Sequence, residues 1–175
     1  MAAAEYLVIA TSLRPGSLSR IMAGALVADY TALGASAELL DLREHPLPLC
    51  DGDAAYAHPA LSGVGAKIRA ARVVVLAVPI YNYDANAAAK NLVELTGKAW
   101  EDKIVGFLCA AGGDSSYMSV MSLANSLMLD FRCIILPRFV YATGEAFSKD
   151  RVSDREIRQR IRQLAESSVK LRQTM

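Results

Sequence analysis

A chain of 175 residues that is 53% apolar and 21% charged, with a net charge of +1, has the balance of a folded globule rather than a disordered chain. The near-neutral charge speaks against a dedicated nucleic-acid surface, and no stretch approaches the ~20 apolar residues of a membrane span. With neither a nucleic-acid nor a membrane partner expected, and no basic-then-apolar leader in MAAAEYLV, the expectation is one domain over residues 1–175, located in the cytoplasm.

Tyr6 to Ala10 is a continuous apolar run of strand length. Thr11 to Ser19 follows as a turn with three serine hydroxyls at Ser12, Ser17 and Ser19 and one cation at Arg14. A helix start offers unpartnered N–H groups and the positive end of a dipole, so this turn reads as a phosphate corner or, equally from these residues alone, as a capped polar turn. Met22, Leu26, Tyr30 and Leu33 then recur at helical spacing and Gly34 is placed to stop the helix. Ser36 to Leu42 is a second strand.

Arg43 to Pro59 carries three prolines and Asp51-Gly52-Asp53 without periodicity, which makes it a long ordered loop. His45 and His58 each precede a proline there and read as loop residues. A helix is expected over 60–71 and a strand over 72–79, whose RVVVLAVP is apolar on both faces, as in the centre of a parallel sheet. Alanine-rich 85–95 reads as a helix ended by Gly97, with Asp84 as its N-cap. Lys103 to Ala111 is a fourth strand, Ser115 to Asp130 a helix, and Arg132 to Tyr141 a fifth strand.

Ser153 and Glu156 have capping-box spacing for a last helix with Ile157, Ile161, Leu164, Ser168 and Leu171 as its stripe. From Lys149 onward eight basic residues face four acidic ones, so that this end carries +4 and the rest −3. Cys50, Cys109 and Cys133 show neither CxxC nor histidine spacing, which points away from disulfides and zinc. Cys109 and Cys133, inside apolar runs, read as small buried hydrophobes.

Five strands alternating with five helices specify an α/β, doubly wound parallel sheet with helices on both faces. Such sheets bind ligands at the carboxyl strand ends where the order reverses. In the flavodoxin-like order 2-1-3-4-5 that point sets the Thr11–Ser19 turn beside the segment after strand three.

That segment reads PIYNYDANAAAKN, Pro79 to Asn91, and strand four runs into AAGGDSSY, Ala110 to Tyr117. With TSLRPGS these resemble the three flavin-contacting loops of the NADPH-dependent FMN reductase family, over about Tyr6 to Tyr141. REHPLPLCDGD is similar to that family's segment near the flavin edge. The resemblance implies FMN as cofactor and NADPH, or NADH, as co-substrate. It implies that Ser12, Arg14, Ser17 and Ser19 hold the phosphate, that Pro79, Ile80, Tyr81, Asn82 and Tyr83 hold the ring and ribityl chain, and that Gly112 and Gly113 allow close approach of the backbone. Many members carry a small residue, Ser and then Pro-Gly between Y-N and K-N, where this chain has Tyr83, Asp84, Asn86 and Ala87.

The implied function is an FMN-dependent NAD(P)H oxidoreductase passing hydride to FMN and on to a quinone, azo compound, flavin or similar small-molecule acceptor. The alternative is a flavodoxin-like binding or electron-carrier module, for which a strongly acidic face would be expected. No GxGxxG or GK[ST] supports a dinucleotide or P-loop site. No general acid or base is implied. The apolar residues of 115–130 surround most of the helix, which, with the family's habit, points to a homodimer or homotetramer.

Overall fold

A computed structural model describes residues 4–174. β1 (Tyr6–Ala10), β2 (Ala37–Asp41), β3 (Val73–Tyr81), β5 (Ile104–Ala111) and two short strands, β6 (Ile134–Ile135) and β7 (Val140–Thr143), form the main sheet. Their order is β2-β1-β3-β5, with β6 and β7 both beside β5, all parallel. This is the expected 2-1-3-4-5 arrangement, its fifth position filled by two pieces. β4 (Asp84–Ala85) folds back antiparallel on β3, and β8 (Phe147–Ser148) pairs with β9 (Arg151–Val152) as a separate hairpin.

Alternation along the strands splits the core. Leu7, Ile9, Val74, Leu76 and Phe107 face α2 (Ala60–Ala70), α3 (Ala87–Thr96) and α4 (Met121–Phe131). Tyr6, Val8, Val75 and Leu108 face α1 (Leu18–Ala32) and α5 (Arg155–Thr174). Each central strand is buried on both faces, which is why the runs read as continuously apolar. Arg158 clamps α5 to α1 by bonding Asp29 bidentately at 2.5 and 2.6 Å, and Tyr30 meets Ser168 at 2.8 Å.

Three sequence expectations are corrected. The fifth strand breaks because Pro137 has no N–H and two extra residues intervene: paired positions advance from 105 to 108 on β5 but from 135 to 140 opposite. The helix expected from Ser115 starts at Met121, after a 3-10 turn over Asp114–Ser116. The cap of α5 is Asp154, whose carboxylate accepts the Ile157 N–H at 2.8 Å, while Ser153 Oγ turns back to the Ala146 carbonyl. Among the described residues no helix is long and apolar enough to cross a membrane.

Candidate functional site

The turns after β1, β3 and β5 enclose a cleft of about 600 Å³ at the carboxyl end of the sheet. Ser12, Arg14, Ser17 and Ser19 line one end; Pro79, Ile80, Tyr81 and Asn82 line a second wall, and Gly112 belongs to a third. The β1 turn bends through Gly16 at φ +66°, a conformation that costs glycine little. Ser17 occupies the N-cap position of α1, yet its Oγ pairs with Ser19 Oγ at 2.9 Å instead of capping. The first N–H groups of α1 are therefore left open to an outside acceptor. Ser12, Ser17 and Ser19 are all buried, and Arg14 enters none of the ion pairs among the described residues.

β3 overruns its neighbours to Tyr81 and turns back through Asn82 and Tyr83, both left-handed at φ 50° and 63°. Two consecutive positive φ values joining paired strands make a tight two-residue hairpin turn. Asp84 is drawn into that hairpin opposite Tyr81 and accepts a bond from Ser122 Oγ at 2.8 Å, so the N-cap of α3 passes to Asn86. Further along, Asn91 accepts the Cys50 N–H and donates to the Pro48 carbonyl, each at 2.8 Å, pinning the proline-rich loop. Asp51 shapes the same loop: the N–H groups of Asp53 and Ala55 hold its carboxyl below the usual range.

The third wall hangs from Tyr141. Its hydroxyl donates to the Gly113 carbonyl and receives Ser116 Oγ at 2.6 Å. Neither Gly112 nor Gly113 has a positive φ, and a Cβ on Gly112 would meet no protein atom within 4 Å. Glycine there leaves the wall bare where a flat ligand would press on it.

The profile of the NADPH-dependent FMN reductase family matches residues 5–148, all three loops included. The chain belongs to this family.

As a member, it is an FMN-dependent NAD(P)H oxidoreductase. No curated protein sequence matches it. Among solved structures it is similar to FerB, a flavoenzyme NAD(P)H:acceptor oxidoreductase from Paracoccus denitrificans, at 19% identity and TM-score 0.78 over 96% of each chain. It is similar also to the apo form of an NADH:FMN oxidoreductase (EMOB), at 14% identity and TM-score 0.73 over 94% of this chain and 90% of that one. A third likeness is the azoreductase AzrA, at 17% and 0.67 over 94% and 99%. At such identities these likenesses speak to the fold.

The residues present fit FMN in this reductase. The cleft is of mononucleotide size, its β1 end offers hydroxyls, open N–H groups and a guanidinium, and no carboxylate lines it among the described residues. Tyr83 and Gly113, expected with the others, stand outside the wall. Tyr83 sits 68% exposed at the hairpin tip, and Gly113 is turned to Tyr141. Leu18, Ala110, Ala111 and Gly144 line the cleft without having been singled out. The alanines end the expected fourth strand and Gly144 follows β7, so a search of every strand's carboxyl end would have found these three.

Proposed function

We propose that this cleft is the FMN site, with the phosphate at Ser12, Arg14, Ser17, Ser19 and the start of α1. The ring lies between the Pro79–Asn82 end of β3 and the Gly112 turn. The observation that carries this reading is the convergence of an uncapped helix start, three buried serines and an unpaired arginine at one end of a cleft whose other walls are largely apolar. Bound FMN supplies the chemistry, taking hydride from NADPH or NADH and passing reducing equivalents to a quinone, azo compound, free flavin or similar small acceptor. The chain itself orients the ring, neutralises the phosphate and excludes water from one face.

Purified protein is expected to take up FMN and to bleach anaerobically when NADPH is added. Protein that takes up no FMN overturns the site, and protein that stays yellow with NADPH and with NADH is a carrier only.

The whole chain acts as one flavin-binding domain in the cytoplasm, as a homodimer or homotetramer. Support for the assembly is the apolar surface left on and before α4: Met118 and Leu129 are 59% and 76% exposed, with Tyr117, Met121 and Met128 also accessible. Sedimentation as a monomer at micromolar concentration would overturn it.

A further inference from the structure

Two buried polar side chains beside the cleft take no part in its lining. Thr11, fully buried, directly follows β1 and precedes Ser12; Asn86, also buried, follows β4 and occupies the N-cap position of α3, its side chain making no cap bond. Thr11 Oγ1 donates to Asn86 Oδ1 at 2.7 Å, and Asn86 Nδ2 donates to the Thr11 carbonyl at 2.9 Å. The Asn86 N–H reaches the Pro79 carbonyl at 3.1 Å, and the Thr11 N–H reaches that of Ala77 at 3.0 Å. One reciprocal pair thus ties the turn carrying the serines to the strand end forming the opposite wall, across 75 residues of sequence.

We infer that Thr11 and Asn86 are a positioning pair: their clasp holds the phosphate turn and the ring-facing end of β3 in register, and so sets FMN affinity and the preference for the phosphorylated flavin. This rests on the reading of the cleft as the FMN site. A ligand that must reach both ends gains from walls already held at the right separation, because their ordering is not charged against binding. A ligand that lacks the phosphate uses only one end and gains little from it.

Asn86 stands where many relatives of the family pattern have the proline of Pro-Gly. Its backbone, at φ −60° and ψ 148°, is one a proline could adopt. What asparagine adds, and a proline could not, is the N–H bond to the Pro79 carbonyl and the two side-chain bonds to Thr11. The departure from the pattern therefore replaces a stiff ring with a cross-loop tie rather than loosening the wall.

The test is a fluorescence titration of apoprotein with FMN and with riboflavin, alongside a thermal melt. Wild type is expected to favour FMN. Asn86→Ala is expected to weaken FMN binding about ten- to hundredfold, the effect of losing a buried hydrogen-bonded partner, with less than about threefold change for riboflavin. Thr11→Val should act in the same direction, and Thr11→Ser, which keeps the hydroxyl, should restore wild-type affinity. An unchanged FMN affinity in Asn86→Ala overturns the clasp while leaving the site intact. Equal weakening of FMN and riboflavin also overturns it, since that is what general loosening produces. If Asn86→Ala does not fold, the same two titrations on Thr11→Val decide. Failure of wild type itself to bind FMN would instead overturn the reading of the cleft.

Discussion

The two main walls of the cleft are built in opposite ways. In the β1 turn Ser12 and Ser19 are 2% and 0% exposed, and the only left-handed residue is Gly16. Across the cleft, Tyr81 and Tyr83 are 52% and 68% exposed, and the turn runs through two left-handed non-glycines. The first wall is a low-strain cradle of buried donors, suited to a fixed anion. The second ends in a strained turn and presents aromatic surface to solvent.

Arg14→Ala should sharpen that contrast most. Removing the one unpaired cation of the cradle is expected to cost about 1.5 kcal/mol or more of FMN binding, tenfold or more in Kd by titration. Riboflavin binding should be nearly unchanged. An unaltered Kd for FMN would remove Arg14 from the phosphate end.

Tyr141→Phe probes the third wall. It orphans the Gly113 carbonyl and Ser116 Oγ and is expected to cost about 1 kcal/mol of stability in a denaturant melt. FMN binding should weaken by a few-fold, because Gly112 is displaced rather than deleted.

Tyr83→Gly tests the strained wall and should move the other way. A tyrosine at φ 63° carries about 1 kcal/mol of strain, and Asn-Gly is the favoured pair for such a turn, so a small rise in melting temperature is expected. Because Tyr83 lies outside the cleft lining, FMN affinity should stay within about threefold in the same titration. A large loss would place its ring on the ligand.

The cysteines give the smallest effect. Cys50 is partly exposed, while Cys109 and Cys133 are buried, so one thiol should react rapidly with a thiol reagent at pH 8 and two only on unfolding. Burial pushes Cys109 up to about 12 and Cys133 to about 11. Both stay protonated in the fold after they have ionised in the unfolded chain. Their contribution to stability is therefore complete below pH ~8.5 and is lost as pH rises through 11 and 12, and Cys109→Ala should flatten that alkaline decline.

Most of the fold is legible because each strand of the sheet's centre is buried on both sides and each helix on one, so burial writes itself into the period of the sequence. Tyr6–Ala10 and Ala60–Ala70 match the expected segments to within a residue. Arg132 to Tyr141 could not be read as two strands, since its apolar content continues while its pairing with β5 lapses at Pro137. The expected Asp84 cap failed because capping propensity is local, whereas the two-residue hairpin that claims Asp84 depends on β3 having an open edge beyond its neighbours.

The sequence by itself determined the layered α/β order, the three turns that enclose the cleft and, through their likeness to a known family, the cofactor. The order and the turns follow from local chemistry: apolar period, glycine, hydroxyls and one arginine at a strand-to-helix junction. Only the tertiary structure decided which residues share a wall, that Asn86 answers Thr11, and that Tyr83 is exposed and absent from the cleft lining. A hydrogen bond across 75 residues leaves no periodic trace, and its geometry exists only once the sheet has brought two strand ends together.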